Sequence, residues 1–147
     1  NYIKDILTSL SSGILSKTLR EDLEIVYSVE VIPYSRYGLL EIKAFINKNN
    51  MEIAKNKIIE IIDSLKNPNV FKEELNNLID RQRLAIIKKK DNKFLIFDDF
   101  IFSTLGIYET LEEYYEKYKY ISCEDISNFV NRLVLDTIYF LKEKDHE

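Results

Sequence analysis

Along the chain, apolar side chains recur first at helical spacing, then alternate, return to helical spacing, and alternate again at the end. Ile3, Ile6, Leu7 and Leu10, then Ile14, Leu15 and Leu19, predict two helical pieces broken at Ser11-Ser12-Gly13. From Ile25 the period becomes two: Ile25, Tyr27, Val29 and Val31 alternate with Val26, Ser28, Glu30 and Ile32, and Pro33 is expected to stop ladder pairing. After a turn over residues 34–38, a second alternating run from Glu41 to Ile46 completes a predicted hairpin.

Helical spacing returns at Met51, Ala54, Ile58, Ile61, Ile62 and Leu65, with Asn49 or Asn50 as the cap and Asn67-Pro68 as the stop. Asn69 is read as the cap of a further helix bearing Leu75, Leu78, Ile79, Ala85 and Ile86. A helical run from Phe94 to Leu105 ends at Gly106, and Glu109 to Tyr120 forms another, acidic at its start. Ser122 to Asp125 has the form of a capping box ahead of Ile126, Phe129, Val130 and Leu133. The closing segment alternates Leu135, Thr137, Tyr139 and Leu141 with Asp136, Ile138 and Phe140, which predicts a final strand. Helix, hairpin, several helices and strand in that order predict an α+β two-layer sandwich: a small, mainly antiparallel sheet covered on one face by helices.

With 147 residues, 46% hydrophobic and 31% charged, one domain spanning residues 1–147 is expected. The formal charge is −4, with both signs interspersed, which argues against nucleic acid as a partner. Lys88-Lys89-Lys90, the one basic run, reads as the solvated end of a helix. No apolar run approaches the roughly 20 residues of a membrane span. A single cysteine, Cys123, suits a reducing compartment, so a cytoplasmic setting is expected, with any targeting signal outside this segment.

The chemistry of a self-sufficient hydrolase is missing from the sequence. His146 is the only histidine, so neither H-x-x-E-H nor H-E-x-x-H occurs and no Ser-His or Cys-His pair can form except through the tail. The three glycines are too far apart for a phosphate loop. Asp98-Asp99 and Glu112-Glu113 read as solvated helix faces rather than catalytic pairs, and Cys123 as a small buried side chain rather than a low-pKa thiol. The tyrosines at 114, 115, 118 and 120 read as half-buried packing residues.

One ordered series stands out: Ser12-Gly13-Ile14-Leu15, Leu19-Arg20-Glu21, Tyr27-Ser28-Val29 and Gly38-Leu39-Leu40-Glu41-Ile42. It resembles the C-terminal, non-zinc half of insulinase/pitrilysin-type metallopeptidases, the mitochondrial-processing-peptidase-like group included. Asn50 to Leu65, Glu73-Glu74-Leu75, Thr110 to Glu113 and Ile121 to Ile126 extend the similarity over nearly the whole chain. The resemblance implies a fragment equal to most of that half-domain, inactive in isolation. Its partner would be a half-domain or subunit that carries the zinc, and the two would enclose a peptide substrate.

It further implies that Arg20 and Tyr27, seven positions apart as in the family, donate hydrogen bonds to the substrate carbonyl and its developing oxyanion. No metal or other cofactor is expected in this chain. The family's glycine before the strand is Glu24 here, and the arginine of its Ser-Ser-Arg-Leu turn is Ile14. Since the family's half-domain normally has a strand ahead of the first helix, a homodimer through an exposed sheet edge is also expected. Read without the resemblance, Arg20 is a surface residue pairing with Glu24 at i+4 and Tyr27 a core strand residue. A non-catalytic structural or adaptor subunit of the same fold, or an unrelated α+β interaction module, remain as alternative functions.

Overall fold

The computed structural model describes residues 2–34, 36–107 and 109–141. Helix α1 (Tyr2–Leu15) runs straight through Ser11-Ser12-Gly13 into a π-helical segment, Ser16–Asp22. The expected break is absent because Ser11 lies fully buried in register with Leu7, Leu10 and Leu15, so the apolar stripe never loses phase; its hydroxyl has no hydrogen-bond partner among the described residues. Gly13 faces open space and needs no special backbone conformation.

Strands β1 (Val26–Tyr34) and β2 (Leu39–Ile46) form a two-stranded antiparallel sheet. Pro33 stays in the ladder opposite Leu40, contrary to expectation. With two strands each is an edge strand, where a missing N–H is tolerated. The turn is closed by Tyr37 N–H donating to the Tyr34 carbonyl, by Gly38 at φ 66° and by the Tyr34 hydroxyl donating to Glu41 Oε2 across 2.8 Å.

Five further helices follow: α2 (Met51–Ser64), α3 (Lys72–Lys90), α4 (Lys93–Thr104), α5 (Leu111–Tyr118) and α6 (Cys123–Val130). Asn50 and Phe71 precede α2 and α3 without a side-chain cap, so neither Asn50 nor Asn69 caps as expected. Asn92 does cap α4, and both α5 and α6 begin with full capping boxes, Thr110 with Glu113 and Ser122 with Asp125. Backbone and side-chain hydrogen bonds from Ser122 hold the Asp125 carboxyl below its usual range.

Two buried clusters make the core. One gathers Ile6, Leu7 and Leu10 of α1 with Leu65, Phe71, Leu75, Tyr118, Ile126 and Val130. The other seats Leu15 and Leu19 on Val26 and Val31 of the sheet and on Ala54 and Ile61 of α2. Ile14, Leu40 and Ile62 pack against both, which joins the helical and sheet layers into the α+β arrangement. Cys123 is half-buried beside the first cluster, and burial, then the Glu124 charge, pushes its thiol pKa up. Of the four tyrosines, Tyr118 is fully buried with its ring centroid 5.3 Å from that of Tyr114, whereas Tyr120 is exposed.

The predicted final strand does not form. Residues 134–141 are exposed and carry no secondary structure, because a strand requires a ladder partner and the only sheet among the described residues ends at β1 and β2. His146 lies outside the described residues.

Candidate functional site

Three local irregularities follow one another between Leu15 and Ser28. In the π-helical segment the Leu23 N–H reaches back to the Thr18 carbonyl at 3.1 Å and the Ile25 N–H to the Leu19 carbonyl at 2.9 Å. Wide turns of this kind are rare and concentrate at functional sites. Leu19 is completely buried and anchors the segment, while its neighbour Arg20 is exposed. Arg20 forms neither a hydrogen bond nor an ion pair with the described residues, so the pairing with Glu24 expected of a surface arginine is absent.

Next comes Glu24, at φ 52° the one described non-glycine residue in the left-handed region. The sequence places Glu24 where the resemblance has glycine, and the backbone keeps a glycine-like conformation regardless. Beyond it, the ladder pairs Val26 with Ile46 and Ser28 with Phe45, leaving Tyr27 as the extra residue of a β-bulge.

The bulge corrects the strand phase read from the sequence. Val26, not Tyr27, shares the core face with Val29 and Val31, and Tyr27 is 69% exposed instead of a core strand residue. Its hydroxyl donates to Asn47 Oδ1 at 3.0 Å, and Asn50 Nδ2 donates to the Ile25 carbonyl at 3.3 Å. Asn47 and Asn50, at the far end of the hairpin, thus fix the backbone and the phenol on either side of the bulge. Helical spacing marks Asn50 only as a cap candidate and Asn47 not at all; the polar run Asn47 to Asn50 directly after a strand is the sequence signal for the pair.

The arrangement exposes a permanently charged guanidinium without a partner among the described residues and a phenol tethered to Asn47, on a short stretch pinned at Leu19 and Ile25. Both are donors, suited to a carbonyl or an oxyanion. Two shallow concavities lie elsewhere, beside Asn69, Val70 and Glu73 and beside Ser103, Ile107 and Thr110.

Residues 1–82, more than half of the chain, match the family described as the Peptidase M16 inactive domain. The chain belongs to the M16 peptidase family. No curated protein and no solved structure matches it significantly. The matched span holds the π-helical segment, Glu24, the bulge and both tethering asparagines, so the irregular geometry falls within the part of the chain that defines an M16 inactive domain. An inactive description agrees with the missing zinc motif, and among the described residues no group of three or more His, Cys, Asp or Glu side chains could hold a metal ion. An inactive M16 domain implies a second half-domain as its companion.

Outside the matched span, α3, α4 and α5 meet at a buried cation that sequence reasoning placed in solvent. Lys89 is 6% exposed and bonds to Asp99 and, at 2.9 Å, to Glu112. Burial alone would lower its pKa, but the two carboxylates outweigh that and raise it, while the Lys89 hydrogen bond holds Glu112 low. A lysine run and an acidic pair in isolation gave no sign of this meeting, because ten and more residues of helix and turn separate them.

Proposed function

We propose that this chain is the non-zinc half-domain of a zinc metalloendopeptidase, closing a peptide-binding chamber with Arg20 and Tyr27 turned to the substrate carbonyl. The observation that carries the reading is the pairing of M16 membership with an unpaired Arg20 and a bulge-exposed Tyr27 on one pinned stretch. In a closed site, a guanidinium and a phenol would stabilise the charge developing on the carbonyl oxygen more in the transition state than in the ground state. The Tyr27 hydroxyl has one proton, so it would leave Asn47 to donate to substrate; Asn47 keeps it aimed in the meantime. Zinc in the companion half would activate the attacking water.

A second reading, a structural or adaptor subunit without a zinc-bearing companion, is favoured by Glu24 alone, since a side chain at a glycine position departs from the family pattern. The test reconstitutes this chain with the half-domain encoded by its parent gene or operon and measures peptide cleavage. Arg20→Ala and Tyr27→Phe should each lower kcat by about 100-fold or more, as loss of one oxyanion donor does, with thermal stability unchanged. Unaltered turnover in both variants would assign the pair a structural role, and a companion lacking H-x-x-E-H would favour the adaptor.

A further inference from the structure

Both ends of the hairpin hold a tyrosine hydroxyl, and they hold it with different chemistry. At the turn the Tyr34 hydroxyl donates to Glu41 Oε2 at 2.8 Å; at the opposite end the Tyr27 hydroxyl donates to Asn47 Oδ1 at 3.0 Å. An ionised carboxylate can only accept, so it keeps the phenol proton in place, and the Glu41 hydrogen bond, followed by the Glu41 charge, pushes the Tyr34 pKa up. A carboxamide carries an acceptor and a donor on one carbon, and a half-turn about χ2 exchanges their places. Among the described residues Asn47 Nδ2 makes no hydrogen bond, so that half-turn breaks only the contact with the phenol.

The carboxamide also starts from a fixed point. Asn50 N–H donates to the Asn47 carbonyl at 2.9 Å and Asn50 Nδ2 to the Ile25 carbonyl at 3.3 Å, which ties the residue after β2 to the backbone just before the bulge. Asn47 itself is exposed and belongs to neither core cluster.

We propose that Asn47 is a two-way positioning residue for Tyr27: its Oδ1 accepts the phenol proton at rest, and after rotation its Nδ2 donates to the phenol oxygen while that proton turns to the substrate carbonyl. The phenol then receives one hydrogen bond and gives another, and each polarises the other, so it meets the developing oxyanion as a stronger donor than a tyrosine standing alone. The proton stays on the phenol oxygen throughout, and the exchange needs no base. The engaged state rests on the peptidase reading; the resting contact and the unused amide do not.

Kinetics of the reconstituted two-half enzyme test it with Asn47→Ala, Asn47→Asp and each of these combined with Tyr27→Phe. Asn47→Asp keeps an acceptor for the phenol but has no donor, and as a charged acceptor it holds the proton more firmly than the amide does. The expected kcat falls about fivefold in Asn47→Ala and about 30-fold or more in Asn47→Asp, with KM unchanged, and in the Tyr27→Phe background neither substitution lowers kcat further. A merely structural asparagine gives the reverse order, because aspartate restores the contact that alanine removes. Asn47→Asp turning over as fast as Asn47→Ala, or faster, therefore overturns the proposal. So does an aspartate effect that persists with Tyr27→Phe, since it then comes from the field of the added charge. If Tyr27→Phe by itself leaves kcat unaltered, the peptidase reading of Tyr27 has failed and the two-way role falls with it. On the 147-residue chain alone, exchange of the Tyr27 hydroxyl proton should quicken in Asn47→Ala and slow in Asn47→Asp; equal exchange in wild type and both variants overturns the resting contact whatever the kinetics.

Discussion

Helices α1 and α4 are both rich in large apolar side chains, and they bury opposite faces. In α1, Ile6, Leu7, Leu10 and Leu15 are at most 3% exposed and link the two core clusters. In α4, Phe94, Phe97 and Phe100 stand 62% or more exposed, no residue joins either cluster, and the buried side chain is Asp99. One helix is held by apolar contact, the other by a salt bridge to Lys89. Apolar content therefore does not decide burial; what decides it is which face meets the rest of the molecule. The segment matching the family builds most of the core, whereas beyond it α4 and the tail after α6 leave their apolar residues in solvent.

The largest expected effect separates the two helices directly. Leu10→Ala should cost about 3 kcal/mol or more, the sum of lost burial and residual cavity, whereas Phe97→Ala should change stability by no more than about 0.5 kcal/mol. Urea denaturation of the two variants beside wild type gives both numbers. Equal losses would mean that α4 packs its aromatics in solution and the contrast is void.

Next in size is the ion pair that holds α4. Lys89→Met leaves Asp99 and Glu112 without their shared cation and should destabilise by about 3 kcal/mol, because a buried pair broken on one side strands a charge. Its pH signature has a definite sign. Glu112 is held below its ordinary 4.5 by the Lys89 hydrogen bond, so its contribution is complete above pH 4.5 and disappears as pH falls through the lowered value. Lys89 is raised above 10.5, against its burial, so its contribution is complete below that pH and disappears above it. Lys89→Met should flatten both limbs of the stability profile relative to wild type; an unchanged acid limb would show that Glu112 does not feel the lysine.

The same contrast explains what could be read in the sequence. α2, α6, the hairpin and the inward stripe of α1, though not its continuity through Ser11-Ser12-Gly13, were legible because local period and burial agree in them: Leu7, Leu10, Leu65 and Val130 recur where an inward face requires them. The Ser122–Asp125 box was legible because capping is a contact three residues long. Arg20 and Tyr27 came from an ordered motif series, and their exposure from geometry that period cannot express. A bulge inserts one residue and shifts phase, so Tyr27 left the face that strict alternation assigned it. Lys89, Asp99 and the end strand failed for another reason. Lys89 and Asp99 depend on a partner distant in the chain and the end strand on a ladder partner that no described residue supplies, and a pattern of spacings carries no such information.

The smallest predicted effect tests a residue inside the matched region itself. Glu24 adopts φ 52° with its side chain exposed and, among the described residues, without a hydrogen bond or ion pair. An L-residue pays roughly 1–2 kcal/mol for this conformation, and glycine escapes it but loses about 0.5–1 kcal/mol more backbone entropy on folding. Glu24→Gly should therefore stabilise by less than about 1 kcal/mol, a rise in Tm of about 2–4 °C at most for a chain of this size. Loss of stability instead would mean that the glutamate contributes a contact outweighing its strain. A gain in Tm together with unchanged Tyr27 hydroxyl exchange would show that Asn47, rather than the residue at position 24, sets the aim of the phenol.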